Sequence, residues 1–151
     1  MKKIVVVIVV LGASFGVMAQ SEELSLYRNS KIIRNWVSAP EDSKFDVTQN
    51  IDTVTTLLNS GNTPVSQAIK YHARLSLDWY YIHTNQTNKI DYDDLYNTIL
   101  NTRGAKSFLD VCYAECAQEA GRKYLYNDKN YECAFKSYFM ARNALTQICN
   151  D

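Results

Sequence analysis

The stretch "ECAQEAGRKYLYNDKNYECAFKSYFMARNA", Glu115 to Ala144, decides the fold. Two runs with apolar residues at helical spacing flank the polar turn Asn127-Asp128-Lys129-Asn130, and neither run alternates as a strand would. The spacing predicts one helix ending near Tyr126, with Leu109, Cys112, Tyr113, Cys116, Ala120 and Tyr124 on a single stripe. It predicts a second from about Tyr131 to Cys149, whose stripe is Tyr131, Ala134, Phe135, Tyr138, Ala141, Leu145 and Ile148. Gly121, Ala134 and Ala141 are small enough to let the two helices cross closely, with Tyr124 and Tyr138 filling the volume beside them.

Upstream, the same periodicity continues between short polar breaks. A first helix is predicted over Glu22 to Val37, stopping before Pro40. A second starts near Asp46, carries Val47, Ile51, Val54, Leu57 and Leu58, and ends at the Asn59-Ser60-Gly61 break. A third opens with Pro64 in its first turn and carries Val65, Ala68, Ile69, Leu75, Trp79 and Ile82. Asp91 caps a fourth, with Tyr92, Leu95, Tyr96, Ile99 and Leu100 on one side and Gly104 past its end; the fifth begins near Lys106. The expected fold is therefore all-α, about six helices forming three antiparallel hairpins that begin near Glu22, Pro64 and Lys106. Their offset of about 42 residues lies in the range of helical repeats, and the hairpins can form either a stack or a compact bundle.

The hairpin from Cys112 to Leu145 resembles a tetratricopeptide repeat or its Sel1-like relative, in which a glycine and a tyrosine on the first helix precede an alanine, an aromatic and an alanine on the second. Here Gly121 and Tyr124 precede Ala134, Tyr138 and Ala141, with a turn one residue longer than the usual spacing. The resemblance implies a concave surface for protein partners and no catalysis.

The amino end, "MKKIVVVIVVLGASFGVMAQ", places Lys2 and Lys3 before an apolar run from Ile4 to Leu11 and ends in small residues through Ala19. That is the pattern of a signal peptide over residues 1–19, of bacterial style, so export to the periplasm, or secretion beyond it, is expected. The remaining residues, 20–151, fit one domain. The run from Ile4 to Leu11 is far shorter than the roughly 20 residues that span a bilayer, and no integral membrane segment is expected after cleavage. The chain holds 16 basic and 16 acidic residues; removing Lys2 and Lys3 leaves a charge of −2, which gives no basic surplus for nucleic acid.

All four cysteines, Cys112, Cys116, Cys133 and Cys149, lie in the last third of the chain. In an oxidising compartment an even set reads as disulfides; a zinc site would bring close pairs of ligands, and only Cys112 and Cys116 are close. Cys112 with Cys149 would staple the open end of the hairpin, leaving Cys116 with Cys133. Straight helices oppose that second bridge, because Cys116 stands roughly 15 Å from the turn and Cys133 roughly 5 Å. Either the helix breaks near Gly121 or the bridge does not form. Cys112 and Cys116 could alternatively act as a thiol-redox or metal-carrying pair.

Other candidate sites have ordinary readings. His72 and His83, three turns apart on one helix, cannot share a metal; His72 reads as a core histidine and His83 as a partner for free carbonyls at the helix end. Asp91, Asp93 and Asp94 lack the spacing of a calcium loop and suit a helix start. No catalytic residue, metal site or cofactor is expected. Eleven tyrosines remain to be explained. Trp79, Tyr80 and Tyr81 are consecutive, about 100° apart on a helix, so they cannot all face one core. With Tyr71 and Tyr126 they are the expected partner-binding residues, Tyr71, Tyr81 and Tyr126 being the exposed ones. The expected function is non-enzymatic: an adaptor or assembly factor for a secretion or pilus-type machine in the cell envelope. The alternative is a periplasmic immunity protein or inhibitor that neutralises a delivered toxin or hydrolase.

Overall fold

A computed structural model describes residues 2–61, 65–102 and 110–150, with side chains from residue 20 onward. The described residues form six α-helices and no strands: α1 (Lys2–Ser38), α2 (Thr48–Asn59), α3 (Gln67–His83), α4 (Tyr92–Asn101), α5 (Val111–Tyr126) and α6 (Tyr131–Asn150). Short 3-10 turns at Glu41–Ser43 and Thr87–Lys89 occupy two of the connections. The expectations placed on Pro64, Gly104, Lys106 and Leu109, and on the side chains of residues 1–19, lie outside the described residues.

Side-chain caps fix three of the helix starts. Asp91 Oδ1 accepts from Asp94 N at 3.1 Å at the head of α4. Asp110 Oδ1 accepts from Tyr113 N at 3.1 Å, which starts α5 at Val111. Asn130 Oδ1 accepts from Cys133 N at 3.1 Å at the head of α6. Each satisfies an amide that the helix leaves without an intrahelical acceptor, worth about 1 kcal/mol. Between α5 and α6 the chain reverses through Lys129, whose φ of 56° is left-handed, while Asn130 N donates to Tyr124 O at 2.9 Å.

α3 is the central element. It packs on α1, α2, α4 and α5, and its buried residues Ala73, Leu75, Ser76, Leu77, Asp78, Trp79 and Tyr81 point in nearly every direction around the axis. α1, α3 and α5 form a row of neighbours. α2 packs on α1 and α3, α4 on α3 and α5, and α6 chiefly on α5. Leu26 and Ile33 of α1, Val54 of α2, Leu75 of α3, Leu95 and Ile99 of α4 and Tyr113 of α5 fill the interior. Each such aliphatic side chain contributes about 1.5–3 kcal/mol of burial. Tyr113 carries its polar tip into this core and satisfies it by donating to Ile99 O at 2.9 Å.

Two expectations are corrected. The four cysteines are free thiols, so neither Cys112–Cys149 nor Cys116–Cys133 forms a disulfide. α5 runs unbroken past Gly121 to Tyr126, which keeps Cys116 and Cys133 at different heights above the turn. Cys112 and Cys116 face α3 instead, where both thiols donate to the carbonyl of Leu75, at 3.5 and 3.6 Å.

The second correction concerns α6. Its buried face is Ala134, Ser137, Met140, Ala141 and Ala144, while Tyr131, Phe135 and Leu145 of the expected stripe are exposed. The helix offers a small-residue stripe and an aromatic one, and α5, its chief neighbour, buries the small residues Ala114, Ala117, Ala120 and Gly121. A Cβ on Gly121 would stand 3.1 Å from three ring atoms of Tyr138, so that ring lies directly on the glycine.

Candidate interaction surface

The rotation of α6 leaves an aromatic surface outside the fold. Tyr131 is 66% exposed, Phe135 70% and Tyr126, at the end of α5, 64%; Phe139 and Leu145 are also exposed. Phe135 and Phe139, four residues apart, stack on each other with ring centroids 6.2 Å apart and an interplanar angle of 19°. Single exposed apolar residues are ordinary on a protein surface, but a contiguous group of large aromatics marks a contact site. Charge frames it lightly: Glu132 pairs with Lys136 at 2.6 Å and Lys123 with Asp128 at 2.7 Å. At the far end of α6, Tyr138, Ala141, Arg142, Leu145 and Cys149 line an apolar groove of about 510 Å³ against Gln118 of α5.

The other tyrosines and tryptophan proposed for partner binding sit differently. Trp79 is buried and its Nε1 donates to Glu115 Oε2 at 2.7 Å. Tyr80 is half-buried against Trp36 of α1, 5.2 Å between centroids. Tyr81, expected to be exposed, is buried, edge-on to Tyr80. The cause is the central place of α3: with helices on several sides, aromatics 100° apart each meet a different neighbour. Tyr71 is half-buried, in a polar cleft with Lys70, Arg74, Asp94 and Asn97. Only Tyr126 of the five lies on the aromatic surface.

The small residues of the α5–α6 crossing, Gly121, Ala134 and Ala141, are buried together, with Tyr138 over Gly121. Tyr124 turns the other way, onto α4, where its hydroxyl lies 3.3 Å from Tyr92 O and 3.2 Å from Asp93 Oδ1 and its ring stands edge-on to Tyr96. The three aspartates at the head of α4 thus have separate partners: Asp91 caps, Asp93 meets Tyr124, and Asp94 pairs with Arg74 at 2.6 Å.

The interior holds a polar cluster that sequence reasoning passed over. Asp78 is fully buried and neither carboxyl oxygen has a hydrogen-bond partner. Burial raises its pKa from 3.8 to about 7; nearby Arg74 opposes the rise, and Asp94 and Asp91 reinforce it. His72 shares its Nδ1 with Ser30 Oγ at 3.0 Å across the α1–α3 contact. Desolvation, then the charges of Arg34 and Lys31, lower its pKa to about 4, so it is a neutral core histidine at pH 7. Arg34 pairs through Nη1 with Asp110 at 2.7 Å, tying α1 to the cap of α5. His83 meets Glu115 at 2.7 Å instead of free carbonyls.

Chemistry at Cys116 is suppressed. Burial, then the neighbouring Cys112 thiol and the Asp78 carboxyl, hold Cys116 well above an ordinary thiol pKa, and a protonated buried thiol is a poor nucleophile. No group of three or more His, Cys, Asp or Glu placed to hold a metal occurs among the described residues, and no helix among them is long and apolar enough to cross a membrane. Comparisons with protein-family models, curated proteins and solved structures find no match to this chain.

A periodicity signal could have located the exposed surface. α6 carries two separable stripes, and matching the small residues of α5 to those of α6 selects Ala134, Ala141 and Ala144 as the packed face. Asp78 could have been flagged because Leu75, Leu77, Trp79, Tyr81 and Ile82 crowd it on α3, which leaves a charge there little solvent face.

Proposed function

We propose that this chain is a non-enzymatic protein-binding module of the cell envelope, exported by its amino-terminal leader, and that it serves as an adaptor or assembly factor for a secretion or pilus-type machine. One observation carries the reading: Tyr131, Phe135 and Phe139 stand exposed at four-residue spacing along α6, Phe135 stacked on Phe139, with Tyr126 exposed at the end of α5. Such side chains offer large rigid contact area at small entropic cost. The row of α1, α3 and α5 carrying α2, α4 and α6 is the neighbour pattern of three stacked hairpins, which supports a tetratricopeptide-like stack whose last hairpin bears this surface. The disulfide staple is not part of the reading.

The test is affinity capture from envelope extracts with the tagged exported chain and with Phe135→Glu and Phe139→Glu variants. One protein recovered in stoichiometric amount by the parent and lost by both variants is expected. A partner retained equally by all three chains refutes this surface. Recovery of a secreted toxin or hydrolase, lost in the same way, would move the assignment from assembly to immunity.

A further inference from the structure

Both faces of α6 follow a heptad alternation: Ala134, Ser137, Ala141 and Ala144 on the packed face, by three, four and three residues, and a second set beside it. Tyr131, Phe135, Tyr138, Arg142, Leu145 and Cys149 follow one another by four, three, four, three and four residues. That is the a/d seam of a two-stranded coiled coil, with Phe135, Arg142 and Cys149 at a, and Tyr131, Tyr138 and Leu145 at d. Five of the six are exposed in the single chain; Tyr138 is half-buried, its ring lying on Gly121 of α5 at the edge of the packed face. A 3.5-residue period on an outward face is the pattern by which one helix recognises another of equal pitch.

We propose that this seam pairs with α6 of a second copy, in parallel, so that two α5–α6 hairpins form a four-helix interface with Cys149 of each copy side by side at its end. The proposal rests on the reading of α6 as a docking face and names its occupant. Parallel pairing sets each a residue beside its own counterpart, so a cysteine at an a position meets a cysteine; antiparallel pairing would set Cys149 against Tyr131. Area is consistent with a dimer. At about 200 Å² per large side chain, the seam and Phe139 expose about 500 Å² per copy, and two copies with their flanking polar atoms reach the ~1,200 Å² at which standard interfaces begin. Arg142 at an a position is a charged residue at the seam, which costs affinity and fixes register. Tyr126, beyond the seam at the end of α5, remains outside it for another partner.

The experiment is sedimentation equilibrium of the exported chain under reducing conditions, followed by incubation with oxidised glutathione. In the second step a Cys149 thiolate displaces one glutathione to form a mixed disulfide, and Cys149 of the other copy displaces the second, giving one interchain bond and two reduced glutathiones. The expected result is twice the monomer mass in reductant, with Phe135→Glu and Tyr131→Glu raising the dissociation constant at least a hundredfold while leaving the circular dichroism spectrum unchanged. Arg142→Leu should tighten the dimer at least tenfold. The glutathione-driven dimer should vanish in Cys149→Ser and persist in Cys133→Ser. A monomer at all concentrations, a dimer that does not cross-link through Cys149, or an Arg142→Leu variant of unchanged affinity overturns the proposal. A monomer whose Phe135→Glu variant still loses a different protein partner leaves the docking reading standing; a Phe135→Glu variant that changes neither mass nor capture removes both.

Discussion

Replacing Asp78 with Asn should reverse the way this protein's stability responds to pH. In the folded chain Asp78 keeps its proton up to about pH 7, whereas the unfolded chain releases it near 3.8. Between those values the folded state holds the extra proton, so stability falls as pH rises across the window. The displacement corresponds to about 4 kcal/mol at most. His72 acts in the opposite sense: it stays neutral in the fold down to about 4, while the unfolded chain takes up a proton near 6.5, so stability falls as pH drops through that range. Because the ring is only partly buried, its full displacement is reduced by solvent screening to about 2 kcal/mol. In the parent chain the two slopes oppose, leaving a net loss of about 2 kcal/mol from pH 4 to pH 7.5. Asp78→Asn removes the larger slope and uncovers the smaller, so the variant should gain about 2 kcal/mol over the same span. It exchanges one unpartnered buried polar group for another, and at pH 4 the two chains should agree within about 1 kcal/mol. Urea unfolding followed by circular dichroism, at half-unit intervals from pH 4 to 8, measures this directly. A variant whose stability parallels that of the parent at every pH would show that Asp78 is not held protonated, and the account of a carboxyl buried without a partner would be wrong.

Three further outcomes follow from the packing. Gly121→Ala should lose about 1 kcal/mol, since crowding of the Tyr138 ring outweighs the gain in helix propensity, and should become stabilising by about 1 kcal/mol in a Tyr138→Ala background; chemical denaturation of the four chains measures the coupling, and a loss that persists without the tyrosine ring would refute the contact. Thiol labelling of the native protein should modify Cys149 first, Cys133 more slowly, and Cys112 and Cys116 only on unfolding, with four thiols titrated in denaturant without reductant; a count of two or zero there would restore one or both disulfides. Tyr113→Phe should cost about 1–2 kcal/mol, because the lost hydroxyl leaves the Ile99 carbonyl one buried hydrogen bond short; a change below about 0.3 kcal/mol in thermal or urea unfolding would count against that bond.

How far the fold could be read from the chain depended on whether a residue's role is set locally or by its neighbours. Asp91 as a cap, the Tyr131 start of α6 and the buried stripe of Cys112, Tyr113, Cys116, Ala120 and Tyr124 need only near sequence, and all were legible. The face of α6 was not, because period alone cannot choose between two stripes on one helix. Packing on α5 chose: α6 buries Ala134, Ser137, Met140, Ala141 and Ala144, lays the Tyr138 ring on Gly121, and leaves Phe135 exposed. The same logic displaced the expected partner-binding group. Trp79, Tyr80 and Tyr81 looked too crowded for one core, which was sound, yet the inference of exposure assumed that α3 had one core side. It has neighbours on several, and a central helix buries what a peripheral helix would expose.

That contrast bears on where binding should be sought. On α3 the aromatics have partners within the chain: Trp79 is hydrogen-bonded to Glu115, Tyr80 lies on Trp36, and Tyr81 lies edge-on to Tyr80, so substituting them would damage the fold before it revealed a contact. On α6, Phe135 and Phe139 touch each other while the Tyr138 ring lies on Gly121. Phe135 and Phe139 stack in solvent, and removing either leaves the α5–α6 packing of Ala134, Ala141 and Ala144 intact. Phe135→Glu should therefore shift stability by no more than about 0.5 kcal/mol, the ordinary range for a surface position. A surface this apolar, contributing so little to the fold that carries it, is explained by what it meets outside the chain.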